Sequence, residues 1–201
     1  MSTPHLVRRA TEQDIDAIMA ILEGRRAWLW ETKFSDQWAS VREWRHLLCY
    51  LIRRGHVRVL VDGDNGRILG TITVSTDPDR DFWSEDERRV PALYVSKLAT
   101  DVDLKGQELG NQLLDWARHY AASQGVRVLR LDTWKTSDGL RDYYATRGWR
   151  LVRTEDLDHR QSGSLFEQRV DDLVADAAVV DEPTGQFAVR TLWAAAREYA
   201  P

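Results

Sequence analysis

The chain has 201 residues, 43% of them hydrophobic and 30% charged, with a formal net charge of −4. That is the length of one ordinary domain; the charge gives no reason to expect nucleic acid as a partner, and no apolar run is long enough to cross a membrane. With Cys49 as the single cysteine, no apolar stretch in MSTPHLVRRATEQD, and no metal-ligand spacing among His5, His46, His56, His119 and His159, the expectation is a cytoplasmic protein without disulfide or metal.

Leu6–Arg9 reads as a short strand. Thr11 as N-cap with Asp14 closing a capping box starts a helix whose face is Ile15, Ile18, Met19 and Leu22. Residues 24–38, GRRAWLWETKFSDQW, mix aromatics and charges without a period. A second helix follows, with Val41, Trp44, Leu48, Leu51 and Ile52 on one face and Gly55 as its stop. Val57–Val61 and Ile68–Ser75 are strands joined by the hairpin turn Asp62-Gly63-Asp64-Asn65-Gly66. Residues 76–91, TDPDRDFWSEDERRVP, read as a polar surface loop bounded by Pro78 and Pro91.

Leu93–Thr100 is a strand of β-branched and aromatic residues without Gly or Pro. KGQELGN carries the turn into a helix with the stripe Leu109, Leu113, Trp116, Ala117, Tyr120 and Ala121, ended by Gly125. Free N–H groups at such a helix start, the helix dipole and Lys105 together suit an anion, and a pyrophosphate is expected there. Lys105-Gly106-Gln107 lacks the Ser/Thr ending of an ATP P-loop, and Gly106 and Gly110 fall short of the three glycines of a dinucleotide fingerprint. Residues 126–134 form the next strand, parallel to the first through a right-handed crossover. In SDGLRDYYATRGWRLV, Ser137 or Asp138 caps a short helix that Gly148 ends, and strands follow at 149–154 and 164–170.

The loop resembles the acyl-CoA loop of the GNAT superfamily of N-acetyltransferases, Gln/Arg-x-x-Gly-x-Gly/Ala after a fourth strand. Lys105 stands at the Gln/Arg position, Glu108 at the middle Gly, Gly110 at the last, and Leu113-Leu114 at the family's leucine pair. SDGLRDYYATRGW is similar to the family element Asn-x-x-Ala-x-x-Φ-Tyr-x-x-x-Gly-Phe, with Tyr144 at its tyrosine, Ser137 for Asn and Trp149 for Phe. The resemblance covers roughly residues 6–170. It implies an α/β (α+β sandwich) domain over 1–170 with helices on both faces of a mixed, mostly antiparallel sheet that holds a splayed parallel pair. Residues 171–201 are left as an extension, partly helical at 192–199, which docks on the domain or on a second subunit; the sequence does not choose.

The resemblance further implies acetyl-CoA as co-substrate and transfer of its acetyl group, by direct attack, to a primary amine of a small molecule or peptide. Leu98, Ala99 and Thr100 then offer backbone contacts to the acyl-pantetheine end. Backbone groups of Lys105, Gly106, Gln107, Glu108, Leu109, Gly110 and Asn111 take the pyrophosphate, and Tyr144 protonates or stabilises the leaving thiolate. Trp28, Glu31 and Asp36 are candidates to wall the amine site. The family's basic Glu would fall at Leu93, which cannot act; Asp132, Glu31, Asp36 and His119 are bases by chemistry alone. Two other readings are kept: a CoA-binding module with little catalysis, and an interaction module using the Trp-rich 28–44 region.

Overall fold

A computed structural model describes residues 5–170 and the pair 187–188. The strands are β1 (Leu6–Arg9), β2 (Val57–Val61), β3 (Ile68–Ser75), β4 (Leu93–Thr100), β5 (Val128–Trp134), β6 (Arg150–Thr154), β7 (Ser162–Arg169) and β8 (Phe187–Ala188). The α-helices are α1 (Ile15–Lys33), α2 (Arg45–Arg53), α3 (Glu85–Arg89), α4 (Leu109–Ser123) and α5 (Asp138–Ala145). The sheet is mixed, in the order β6-β7-β5-β4-β3-β2-β1-β8. β4 and β5 are parallel, with Leu93 opposite Leu129 and Val95 opposite Leu131. β1–β2, β2–β3, β5–β7 and β6–β7 are antiparallel. No helix among the described residues is long and apolar enough to cross a membrane.

The chain divides into two compact units. The first holds residues up to Thr73 and Lys97–Trp116. Its core gathers Ile18, Leu22, Val41, Leu48, Val59 and Ala99. Arg8 fixes the start of α1 by donating both terminal nitrogens to the Asp14 carboxylate, at 2.7 and 2.8 Å. The Thr11 N–H donates to the same carboxylate at 2.7 Å, which bears out the capping box. Strand β3 approaches β4 closely at Gly70. A Cβ there would stand 3.1 Å from the Ala99 carbonyl oxygen and from Leu113, and 3.2 Å from Thr100.

The second unit holds Val74–Ser96 and, among the described residues, 117–170; β8 falls in the first. Phe82, Trp83 and Leu165 form its buried cluster, joined by Tyr94, Val152 and Leu157. Arg130, in the middle of β5, is buried against the Trp83 ring at 4.8 Å.

Several expectations change. α1 runs nineteen residues, so most of the stretch read as irregular is helix. Its buried positions stop at Leu22; beyond them no apolar stripe shows the period. The helix ends at Phe34, whose φ of +49° is left-handed. Residues 76–91 are not merely a surface loop, because Phe82 and Trp83 are buried and Ser84 caps α3 in a box with Glu87. Here local capping chemistry and two aromatic anchors outweigh the polar composition. β5 starts two residues later than expected, β6 one later, and β7 covers Ser162–Arg169. The helix expected at 192–199 lies outside the described residues.

Candidate active site

The first unit carries the strand–loop–helix. Beyond Thr100, the Asp101 N–H donates to the Leu69 carbonyl at 2.9 Å, and its carboxylate accepts from the Asp103 N–H at 3.0 Å. This caps a 3₁₀ turn, Val102–Leu104. Gly106 then takes φ +88° and Glu108 φ +55°. The first intrahelical bond of α4 runs from the Gln112 N–H to the Glu108 carbonyl at 3.1 Å. The N–H groups of Leu109 and Gly110 therefore precede the hydrogen-bonded ladder, the arrangement that suits an anion. The Gln107 N–H already donates to the Leu104 carbonyl at 3.3 Å.

Glu108 shows why glycine suits this position. Left-handed backbone costs a residue with a Cβ about 1 kcal/mol, and glycine nothing. Its carboxylate accepts from the Asn111 side-chain amide, so it faces a donor on the first turn of α4. Behind the loop, Leu109, Leu113, Trp116, Ala117 and Ala121 are buried, as their spacing predicts, while Tyr120 is half-buried.

Along β4, Ala99 is buried and Leu98 and Thr100 half-buried. The Thr100 carbonyl and hydroxyl already accept from Arg25, at 3.0 and 3.1 Å. Burial lowers the Arg25 pKa, with Asp101 opposing it. Lys97 has φ +50°, and its ammonium sits 5.3 Å from the Trp44 ring, which packs on Trp38 at 5.8 Å.

Helix α1 brings Trp28 to the loop. Its ring has the Lys105 ammonium at 5.7 Å, Arg25 at 5.3 Å and Lys33 at 5.9 Å. Sequence reasoning set Trp28 beside Glu31 and Asp36, but both acids are exposed. It did not single out Arg25 or Lys33. The available signal was helical spacing, since Arg25 lies three residues before Trp28 and so on the same helix face.

The second unit carries Tyr144. The Ser137 hydroxyl accepts from the Leu140 N–H at 3.3 Å and caps α5 as expected. The Tyr144 carbonyl accepts from the N–H groups of Arg147 and Trp149, and Gly148 takes φ +77° to close the turn. The phenol ring is buried among Tyr143, Trp149 and Phe166, with centroids 5.2, 5.8 and 5.5 Å away. Burial, then Tyr143, raises its pKa, so at neutral pH it keeps its proton and can donate. Tyr143 is the less buried of the two and lies under Arg147 at 3.8 Å. Among the base candidates, Asp132 and His119 are half-buried; Leu93 is buried in β4.

The chain matches the family model for the acetyltransferase (GNAT) family over residues 16–149. It is 25% identical over 164 residues to the uncharacterized N-acetyltransferase YesJ of Bacillus subtilis, covering 80% of this chain and 88% of that protein. In fold it is similar to a GNAT-family acetyltransferase of Listeria monocytogenes (21% identity, TM-score 0.69, 82% of this chain and 94% of that one). It is also similar to the PaiA N-acetyltransferase of Thermoplasma acidophilum in complex with coenzyme A (14% identity, TM-score 0.63, 82% and 98%). A strand, a turn and an anion-ready helix start in this order, inside a mixed sheet with one parallel pair, agree with those matches: the chain belongs to the GNAT family of acetyltransferases.

Proposed function

We propose that the protein transfers an acetyl group from acetyl-CoA to a primary amine of a small molecule or peptide, by direct attack. The observation that carries this is the start of α4, where the backbone N–H groups of Leu109 and Gly110 precede the helical ladder beside Lys105. The donor set fits a phosphorylated acyl carrier. The helix start supplies hydrogen-bond donors and a favourable dipole, and Glu108 is directed at Asn111. Coenzyme A is the molecule held by the Thermoplasma relative.

In this reading Leu98 and Ala99 pair through their backbone with the pantetheine arm, and Lys105 with the N–H groups of Leu109 and Gly110 holds the pyrophosphate. The amine nitrogen attacks the thioester carbonyl carbon, the C–S bond breaks, and Tyr144 donates its phenolic hydrogen to the departing sulfur; the proton lost from the nitrogen passes to solvent, and the phenolate takes one back. The family's tyrosine position supports that role, together with the buried, protonated state of the ring. The catalytic domain spans residues 1–170, and a lone thiol, Cys49, suits a cytoplasmic setting.

Thermal melting with and without acetyl-CoA tests the donor. A ligand at a hundred times its Kd stabilises the fold by about 2.7 kcal/mol, a clear rise in Tm. No rise at millimolar acetyl-CoA would sink the proposal. Tyr144→Phe should keep the rise while kcat falls about 100-fold, the usual scale of acid catalysis. Unchanged turnover would remove Tyr144 from the mechanism. A rise without CoA release from any amine in a broad screen would instead favour a CoA-binding module.

A further inference from the structure

We infer that helix α1 adds a phosphate-binding rim to the donor loop, in which Arg25, Trp28 and Lys33 act with Lys105 on a phosphate of the acyl donor. The inference rests on the acetyl-CoA reading above and assigns residues outside the loop to it.

Three positive heads surround the Trp28 ring, at 5.3, 5.7 and 5.9 Å. Cation–π attraction at exposed sites is worth about 0.5–1 kcal/mol each and leaves the charge in place. Among the described residues none of the three has a carboxylate within salt-bridge distance; Asp101 acts on Arg25 electrostatically but is itself paired with Arg67, and Arg25 spends its hydrogen bonds on the neutral oxygens of Thr100. Like charges held round one ring repel one another, and the partial burial of Arg25 weakens the screening that would relieve them. An anion placed there removes the repulsion.

The position selects the anion. Arg25 bonds to Thr100, the last residue of the strand assigned to pantetheine. Lys105 belongs to the turn before α4. The rim is therefore tied to both ends of the path from pantetheine to pyrophosphate. The helix also fixes its geometry: Arg25 and Trp28 are three residues apart on one face. Packing alone is the competing account, in which Trp28 merely anchors α1. It predicts a loss of stability without a change in ligand charge preference.

The experiment is titration calorimetry of CoA and of 3′-dephospho-CoA, at low and moderate salt, with wild type, Lys33→Ala, Lys33→Glu and Trp28→Leu. Lys33 is exposed, so the apo melting temperature of Lys33→Ala should match wild type. Its CoA Kd should rise about tenfold, Lys33→Glu should rise further, and both should show a shallower salt dependence. If the loss is confined to CoA and spares the dephospho form, the rim reads the 3′-phosphate; equal loss for both assigns it to the pyrophosphate. A CoA Kd in Lys33→Glu within twofold of wild type, or an unchanged salt slope, overturns the inference. Failure of wild type to bind CoA at all would instead overturn the donor reading itself.

Discussion

Trp83 and Trp28 each carry more than one cation, and they differ in what answers that charge. Trp83 is buried under Arg130 at 4.8 Å and Arg153 at 5.9 Å. Arg130 pairs with Glu167 at 3.1 Å and donates to the Glu87 carbonyl and the Tyr94 hydroxyl. Arg153 pairs with Glu87 and Glu155 and donates to the Phe82 carbonyl. Every positive head there has a carboxylate, and the cluster holds α3, β5, β6 and β7 together. Around Trp28 the same stacking occurs with no carboxylate within salt-bridge distance among the described residues; Asp101 acts on Arg25 only electrostatically and is itself paired with Arg67. Charge matched at contact ties elements together, and charge answered only at longer range is what the inferred rim would use.

The contrast can be broken most sharply at Arg130. Arg130→Ala should cost about 2 kcal/mol, because it takes a donor from the Tyr94 hydroxyl and leaves Glu167 with Arg150 alone and the Glu87 carbonyl with the Val90 N–H alone. Urea unfolding reads this directly, and a loss under 1 kcal/mol would mean that the network is ornamental.

A smaller effect is expected in acid. The Arg153 hydrogen bond outweighs burial and, with Ser84, holds the Glu87 pKa down at about 2, below its ordinary 4.5. A depressed carboxylate contributes stability that is fully present above pH 4.5 and is lost as pH falls toward 2. Glu87→Gln should flatten that limb of the stability curve. Lys33→Ala should leave it parallel to wild type, since among the described residues no carboxylate lies within salt-bridge distance of Lys33.

The smallest effect belongs to the loop. Glu108→Gly relieves left-handed strain and gives up the bond to Asn111, for a net gain of about 0.5 kcal/mol. A shifted urea midpoint at constant slope would show it; a lower midpoint would mean that the Asn111 bond outweighs the strain.

The sheet and the donor loop were legible because their signals are local. Leu93–Thr100 is a run of strand formers, and Leu109, Leu113 and Trp116 repeat at helical spacing over a buried face. Gly125 and Gly148 mark their turns by positive φ. The second half of α1 was not legible, since beyond Leu22 no residue is buried and no face repeats. Arg130 was read as part of an ordinary strand because its burial depends on Glu167, 37 residues away. The Trp28 rim needed Lys105 from another element, a juxtaposition that spacing along one helix does not reveal. Glu108 was visible as a departure from the family's glycine, and its backbone angle explains what the departure costs.

Gly70 has a consequence for how this protein can change. Strand β4 and Leu113 fit against β3 only because position 70 has no side chain, with contacts already at 3.1 Å. No single-base change in a glycine codon yields another residue without a Cβ. Every one-step missense variant at this position therefore pushes on the strand that carries Ala99 and Thr100. A library that randomises codon 70 should therefore favour glycine, with alanine the substitute that asks the smallest shift of its neighbours.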